Sequence, residues 1–247
     1  MRLERAGTLI GASIDRAAAL NIAFHGATPQ QVLAGAVAEF PGEVAMVSSF
    51  GADSVVLVSM LAEIDRSVPV LMINTLMLFE ETMDYQRDVA ERLGLTNVQQ
   101  LRPAMADLAL RDPDGTLHQR DQDSCCEVRK VLPLERVAGR WPVTISGRKR
   151  YQGATRAALE HFEPDGEGLK VNPLAYWGRD ELRAYMEARD LPRHPLVAKG
   201  FRSIGCMPCT TPVAEGEDER AGRWRGTEKT ECGIHIGRDG RIQRIAS

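Results

Sequence analysis

The sequence contains no apolar run long enough to cross a bilayer, and its net charge is close to zero. A transmembrane helix needs about 20 consecutive apolar residues, and no stretch approaches that length. The formal net charge of −3 gives no general attraction to nucleic acid, and no basic recognition helix is present. No apolar segment follows the N-terminal residues 1–5, so we expect no signal peptide. We therefore expect a cytoplasmic protein with neither a membrane nor a nucleic acid as its partner.

Cysteine is scarce, and the positions of the five cysteines indicate chemistry. Cys125 and Cys126 are adjacent, Cys206 and Cys209 are separated by two residues, and Cys232 stands alone. A cytosolic protein keeps its thiols reduced, which favours metal binding or catalysis over structural disulfides. Since two pairs about 80 residues apart can form one four-sulfur site, we predict a metal centre at the paired cysteines.

Both a tetrahedral zinc ion and an iron–sulfur cluster accept four cysteine thiolates. Adjacent cysteines are unusual in zinc sites. They can bind two corners of a cubane more easily than two coordination positions of a single ion. The pattern therefore favours a cluster over zinc. A buried structural Cys125 or Cys126, combined with a redox-active dithiol at Cys206 and Cys209, is the remaining alternative.

Short apolar runs alternate with helical patterns along the chain, and this predicts an α/β fold whose parallel sheet has helices on both faces. We assign residues 1–212 to one domain, in which the first 40 residues are helical. Residues 213–247 are polar and lack periodicity, so we predict a mobile C-terminal tail that carries Cys232. Strands are predicted at 44–47, 69–74, 97–101 and 143–146, and helices at 55–64, 82–93, 125–136 and 179–190.

A loop of small polar residues joins the first predicted strand to the following helix. Free N–H groups at a helix start, serine hydroxyls and the small Gly51 suit an anion. Ligands of parallel sheets bind at the carboxyl ends of the strands, where this loop lies. An ordinary turn capped by Asp53 or Ser54 is the alternative. The loop residues that we predict to bind substrate are Ser48, Ser49, Phe50, Gly51, Asp53 and Ser54.

A second candidate anion site follows the fourth predicted strand. Arg148, Lys149 and Arg150 are consecutive there, and Arg156 follows. A solvated loop is the alternative, but at the carboxyl end of a strand we expect these cations to clamp an anionic substrate.

Taken together, the motifs resemble the assimilatory sulfonucleotide reductases, specifically the bacterial adenylyl-sulfate (adenosine 5′-phosphosulfate) reductases. The similarity runs from about residue 44 to residue 235. The first loop is shared loosely with ATP pyrophosphatases, whereas the cysteine motifs are specific in combination. The resemblance rests on residues 48–54 (SSFGADS), 78–82 (LFEET), 125–130 (CCEVRK), 203–210 (SIGCMPCT) and 231–235 (ECGIH).

The resemblance implies a nucleotide-binding domain of the ATP pyrophosphatase-like (adenine nucleotide alpha hydrolase-like) type. It also implies that Cys232 attacks the sulfur of the substrate, releasing AMP and leaving an S-sulfocysteine that thioredoxin or glutaredoxin reduces to free sulfite. Lys130 would lie between substrate and cofactor. Relatives that use the 3′-phosphorylated substrate commonly lack the cluster cysteines, so we expect the unphosphorylated nucleotide here. The implied ligands of a [4Fe–4S] cluster are Cys125, Cys126, Cys206 and Cys209.

The substrate's sulfate and phosphate require compensating cations, which arginines supply by bidentate pairing. We also expect a homo-oligomer. The sequence departs from the family pattern at residues 74–76, where Asn-Thr-Leu replaces Asp-Thr-Gly, and Leu76 is expected to add bulk beside the nucleotide pocket. Besides Lys130, the further residues predicted to bind substrate are Arg148, Arg150, Arg220, Arg223 and His235.

Three other functions stay open at this point. A 3′-phosphoadenylyl-sulfate reductase would share the chemistry but prefer the 3′-phosphorylated nucleotide. An ATP pyrophosphatase-type adenylating enzyme would use the loop at 48–54 and a cysteine metal site, although one glycine in that loop is few for this role. A redox-sensing regulator would bind a cluster and a partner without turnover.

Overall fold

The computed structural model describes residues 2–153, 156–229 and 231. None of the helices in these ranges is long and apolar enough to span a membrane. The strands are β1 (Val44–Val47), β2 (Val70–Ile73), β3 (Val98–Leu101), β4 (Val143–Ser146), β5 (Phe162–Asp165) and β6 (Gly168–Val171). The α-helices are α1 (Arg2–Ala23), α2 (Pro29–Glu39), α3 (Ser54–Ile64), α4 (Glu80–Leu93), α5 (Met105–Arg111), α6 (Leu117–Arg120), α7 (Gln122–Cys126), α8 (Leu132–Ala138) and α9 (Arg179–Ala188).

The strands form one sheet in the order β3-β2-β1-β4-β6-β5, in which β5 alone runs antiparallel to its neighbour. Alternate residues of a strand point to opposite faces. In β1, Met46 packs in the main core with Val56 of α3, whereas Ala45 packs in a second cluster with Leu134 of α8. The predicted α/β fold, with a parallel sheet and helices on both faces, is confirmed.

The order of the strands places the loops after β1 and β4 side by side. Val47 at the end of β1 is aligned with Ser146 at the end of β4. Because these strands are parallel, the polar loop at 48–54 and the cationic segment at 147–150 leave the sheet at the same edge.

A hairpin formed by β5 and β6 was not predicted, because its residues do not alternate between apolar and polar. Lys170 of β6 is buried and lies 3.1 Å from Asp165 of β5. Pro164 lies in β5, which is an edge strand and so tolerates a residue without an N–H group.

The predicted helix at 125–136 is interrupted by one π-helical turn, Glu127–Val131. This turn lies directly after the adjacent cysteines, and such insertions in helices occur frequently at functional sites. The helical segment also begins earlier than the predicted residue 125. The side chain of Asp121 caps it, accepting hydrogen bonds from the N–H groups of Asp123 and Ser124.

The first part of the predicted tail lies against the rest of the fold. The N–H of Val213 donates to the carbonyl of Gly200 at 3.0 Å, and that of Trp224 donates to the carbonyl of Cys209 at 3.1 Å. Trp224 is buried, with 3% of its surface exposed. The mobility proposed for 213–247 stays a prediction, and both Cys232 and His235 lie outside the described residues.

Candidate active site

A cavity of about 310 Å³ opens where β1 and β4 end. Five of the six predicted loop residues line it: Ser48, Ser49, Gly51, Asp53 and Ser54.

The sixth predicted residue, Phe50, does not reach the cavity. Its side chain is fully buried in the main core, and its φ of 47° is in the left-handed region. This backbone conformation, which is rare for a bulky residue, turns the phenyl ring away from the ligand side. Phe50 therefore supports the loop from the core, and its side chain is not among the residues that line the cavity, so the predicted substrate binding by Phe50 stays a prediction for its backbone.

The loop uses some of its own N–H groups. The N–H of Gly51 donates to the hydroxyl of Ser54 at 3.0 Å, and that of Phe50 donates to Ser48 at 3.3 Å. A Cβ at Gly51 would lie 3.3 Å from the carbonyl oxygen of Ile204. Glycine thus permits the segment that carries the second cysteine pair to pack closely on this loop.

The cations after β4 point in different directions. Arg148 lines the cavity and pairs with Glu163 at 2.5 Å. Arg150 points away, since its guanidinium bonds to the carbonyl of Leu159 at 2.6 Å and lies over the ring of Tyr176. Arg150 begins a 3₁₀ turn, Arg150–Gln152, and the structure does not bring its side chain to the site as predicted.

Lys149, unlike Arg150, faces the cavity. It is 3% exposed, and its Nζ lies 3.4 Å from the Asp53 carboxylate. Burial lowers the pKa of this ammonium group, while Asp53 opposes that effect. Lys149 therefore places a buried positive charge against the polar loop.

Two arginines of the chain after residue 213 also line the cavity, as predicted. Arg220 lies 3.7 Å from Glu231, and the guanidinium of Arg223 lies 4.4 Å from the ring centre of Trp224. A Cβ at Gly205 would lie 2.3 Å from Nη2 of Arg223, so only glycine permits this approach.

A second, smaller cavity is lined by the four paired cysteines together with Lys130. The first pair lies at the end of α7. The second lies on and beside a 3₁₀ turn, Met207–Cys209, which is held to the segment after β2 by a hydrogen bond from the Met207 N–H to the Met77 carbonyl at 2.8 Å. All four are free thiols. The structure thus brings together the cysteines that were predicted to form one site: Cys125, Cys126, Cys206 and Cys209.

The surroundings of these thiols suit a positively charged centre. Burial, together with the three neighbouring thiols, raises the pKa of Cys125 to about 12. Burial and nearby thiols also raise the pKa of Cys209, which Lys130 and Arg223 oppose. Thiolates are the ligands of metal centres, so ionising all four requires added positive charge.

A metal ion and a cluster make different demands on these sulfurs. Among the described residues, no group of three or more histidine, cysteine or acidic side chains is arranged to hold one metal ion. A zinc ion needs four sulfurs at about 2.3 Å from a common point. In a [4Fe–4S] cluster each cysteine binds a different iron, so the four sulfurs need not surround one point.

Lys130 lies between the two cavities and lines both. Its Nζ is 3.7 Å from the sulfur of Cys126. The π-helical turn places Lys130 here, directly beside the cysteine pair.

Residues 43–212 match the model of the phosphoadenosine phosphosulfate reductase domain. The chain belongs to this family. It is 49% identical over 222 residues to the adenosine 5′-phosphosulfate reductase of Mesorhizobium japonicum, covering 90% of this chain and 87% of that relative. It is 38% identical over 212 residues to the phosphoadenosine 5′-phosphosulfate reductase of Gloeobacter violaceus, covering 84% and 88%. The expected enzyme class, a sulfonucleotide reductase, is confirmed.

Among solved structures, the phosphoadenylyl-sulfate reductase from Candida auris in complex with phosphate superposes with a TM-score of 0.67. It is 26% identical and covers 81% of this chain and 97% of its own. The FMN adenylyltransferase of Candida glabrata, with a TM-score of 0.53 and 15% identity, shares the fold alone. These neighbours confirm the predicted nucleotide-binding fold.

Within this reductase family, the chain's departure at Leu76 does not affect the cavity as we expected. Leu76 is 47% exposed and is not among the residues that line the cavity. Its φ of 60° is left-handed, and its N–H donates to the side chain of Asn74 at 3.0 Å. The substitution therefore introduces backbone strain rather than bulk beside the ligand.

Sequence reasoning missed several residues of the reductase site. Arg129 is buried and joins Asp112 to the carbonyl of Thr75, whose hydroxyl lies 3.2 Å from the sulfur of Cys206. No sequence signal marks Asp112, whereas Lys149 and Arg156 stand within the cationic segment already noted. The cations at the cavity that had not been predicted are Lys170, Arg179 and Arg202.

Proposed function

We propose that the chain reduces adenosine 5′-phosphosulfate to sulfite and AMP in cytoplasmic sulfate assimilation, with Cys232 as the nucleophile and thioredoxin or glutaredoxin as the reductant. One observation carries this proposal: a cavity lined by cations adjoins a four-cysteine site, and Lys130 lines both. The names of the relatives from Mesorhizobium japonicum and Chelativorans support this nucleotide.

The proposed chemistry has two steps. The Cys232 thiolate attacks the sulfur of the sulfate group, a sulfur–sulfur bond forms, and the bond from sulfur to the phosphate oxygen breaks as AMP leaves. One thiolate of the reductant then attacks the sulfur of Cys232, and sulfite leaves. The second thiol of the reductant displaces Cys232, so the two electrons come from a dithiol that becomes a disulfide.

The residues at the cavity have distinct roles in this proposal. Arg148, Lys149 and Arg223 balance the charges of the sulfate and phosphate groups. Lys130 stabilises the negative charge that builds up on the departing phosphate, because a cation positioned in advance favours the transition state. Ser49 and Ser54 supply hydroxyl donors from the loop after β1.

We propose a [4Fe–4S] cluster as the cofactor, held by the four paired cysteines. When bound, it supplies positive charge and a rigid frame beside the substrate cavity. Replacing one ligand tests it: Cys206→Ser is expected to lower the iron and sulfide content of the purified protein. Full retention of both would reject the role of this cysteine as a ligand.

A second candidate substrate is the 3′-phosphorylated nucleotide, which the names of the Gloeobacter violaceus and Candida auris relatives favour. Sulfite formation should therefore be measured with each nucleotide, using thioredoxin as the reductant. We expect a higher kcat/KM without the 3′-phosphate, and the opposite preference would assign the chain to the second function.

The nucleophile is tested separately with Cys232→Ser. This variant is expected to keep the visible absorbance of the cluster and to lose sulfite formation by about 10³-fold or more, as is usual when a nucleophile is removed. Normal turnover in this variant would disprove the role of Cys232. The expected homo-oligomer and the choice between thioredoxin and glutaredoxin stay predictions.

A further inference from the structure

Glu231, the residue before Cys232, is held by a bidentate ion pair. Its two carboxylate oxygens accept hydrogen bonds from Nε and Nη2 of Arg156, both at 2.7 Å. Arg220 adds a longer contact of 3.7 Å. The side chain of Arg156 is 9% exposed and that of Glu231 26%. Parallel hydrogen bonds of this kind fix direction as well as distance.

The guanidinium of Arg156 is held by protein partners at all three of its nitrogens. Nε and Nη2 bind Glu231, and Nη1 donates to the side chain of Gln152 at 2.5 Å. Gln152 is itself fixed, because its side chain also accepts the N–H of Lys149 at 3.1 Å. Each nitrogen of Arg156 is therefore engaged within the protein, unlike a residue kept open for a ligand.

Lys229, two residues before Glu231, is held as well. It pairs with Asp123, which lies two residues before the adjacent cysteines, and its Nζ is 5.9 Å from the ring centre of Trp224. Lys229 is thus anchored beside the cysteine site, and Glu231 at the edge of the cavity that it lines.

We propose that the Glu231–Arg156 ion pair positions Cys232 for attack on the substrate. Consecutive α-carbons of any chain are about 3.8 Å apart across a trans peptide. Holding the carboxylate of Glu231 on the cavity wall therefore restrains the residue that is bonded to it. Glu231 and Arg156 are positioning residues in this assignment, which rests on the proposed role of Cys232.

The test uses Glu231→Gln, Arg156→Gln and the double variant of the cluster-containing enzyme. We expect each single variant to lower kcat for sulfite formation by about 10- to 100-fold, because small errors in placing a nucleophile have effects of this size. The KM for the nucleotide should stay within about threefold. The double variant should resemble the singles, since residues that act as a pair are not additive. Glu231→Asp is expected to retain part of the activity.

A second readout requires no substrate: the rate at which iodoacetamide alkylates Cys232 in the nucleotide-free enzyme, followed by mass spectrometry of its peptide. Removing the negative charge of Glu231 favours the thiolate, whereas removing the positive charge of Arg156 disfavours it. A purely electrostatic role therefore predicts opposite changes in the two variants. Positioning predicts that both variants react about 3- to 10-fold faster, because both release the segment.

Glu228→Gln is the matched control, since Glu228 is exposed and lies three residues before Glu231. It should leave both readouts unchanged. A lower KM with unchanged kcat in Glu231→Gln would mean that the carboxylate competes with substrate, and would overturn the proposal. Opposite alkylation changes in the two single variants would overturn it as well. If the parent enzyme forms no sulfite while the alkylation rates change as expected, the proposed function fails and the positioning contact stands.

Discussion

The substrate cavity and the cysteine site are neighbours, but they differ in how their charges are balanced. Most of the cations at the cavity already have carboxylate partners, so an entering anion exchanges partners with them. The cysteine site has four thiols and three nearby cations that lower a thiol's pKa, Arg129, Lys130 and Arg223, and Arg129 already pairs with Asp112. Apart from the contacts of Glu231, the ion pairs at the cavity include Arg148–Glu163, Lys149–Asp53, Lys170–Asp165 and Arg179–Glu219.

This difference has a physical consequence. A cavity of paired charges is stable without ligand and can release its product, because the paired cations regain their carboxylates. The cysteine site has an excess of groups that become negative, so in the function that we propose it needs the positive charge of a bound centre. In that proposal the first site exchanges its ligand and the second keeps its cofactor.

The largest loss of stability is expected beside the cysteine site, where Asp112→Asn removes the partner of a buried arginine. The carboxylate of Asp112 is fully buried and pairs with Arg129, which holds the Thr75 carbonyl beside Cys206. Leaving a buried charge without its partner costs about 3–5 kcal/mol. Urea denaturation followed by circular dichroism should show this loss, accompanied by lower iron content.

Asp114→Asn is the matched control for Asp112→Asn. Asp114 also pairs with an arginine, Arg120, but both side chains are about half exposed. Exposed pairs contribute about 0–1 kcal/mol, so this variant should keep both its stability and its iron. A loss as large as that of Asp112→Asn would show that the buried pair has no special role.

At the cavity, Lys149→Met is expected to raise the KM for the nucleotide and to lower kcat/KM by about 10- to 100-fold. Its buried ammonium faces the polar loop through Asp53, and a charge-assisted contact contributes about 1.5–3 kcal/mol. Steady-state sulfite assays on Lys149→Met and Arg150→Met provide the comparison. Because Arg150 points to Glu160 and Tyr176, its loss should change kcat/KM less than threefold. Equal losses of kcat/KM in the two variants would contradict the side-chain directions assigned to Lys149 and Arg150.

The placement of these residues also shows how much of the site the sequence predicts. The cysteine pairs, the loop after β1 and the cations after β4 could be placed from the sequence, because parallel strands bring their carboxyl ends to one edge. The direction of individual side chains could not, since it depends on backbone dihedrals that no motif specifies. Phe50 points into the core because its φ is 47°. Lys149 and Arg150 are adjacent in the sequence, yet only the side chain of Lys149 lines the cavity.

Other features could not be predicted from the sequence because their stabilising contacts join residues that are far apart in the chain. The hairpin of β5 and β6 contains the buried pair Lys170–Asp165, whose two charges obscure the strand pattern. The contact between Glu231 and Arg156 joins residues 75 positions apart. A single sequence shows the residue types in such pairs, but it does not show which residues contact each other.

A smaller effect, on the pH dependence of stability, is expected from His194. Burial lowers the pKa of this imidazole to about 4, and its ring nitrogens contact Thr82 at 3.0 Å and the N–H of Leu196 at 3.2 Å. Between pH 6.5, the ordinary pKa of histidine, and pH 4, the unfolded chain binds a proton that the folded chain does not. Stability should therefore fall by about 1–3 kcal/mol as the pH falls through this range.

Urea denaturation at several pH values checks the histidine prediction. His194→Gln should be less stable than the parent at pH 7 and should show a flatter dependence on pH between 6.5 and 4. If the parent and the variant lose stability in parallel over that range, another group is responsible.

The smallest effect is expected at Leu76, whose left-handed backbone lies next to the Thr75 that touches Cys206. A non-glycine residue in this conformation costs about 1–2 kcal/mol, and the half-exposed leucine side chain recovers little of it by burial. Leu76→Gly should therefore raise stability by up to about 1 kcal/mol, or the melting temperature by about 2–4 °C. Since Leu76 does not line the cavity, kcat/KM should stay within about twofold. Leu76→Ala keeps the strained conformation and should show no such gain; equal stabilisation of the two variants would place the cost in the leucine side chain instead of the backbone.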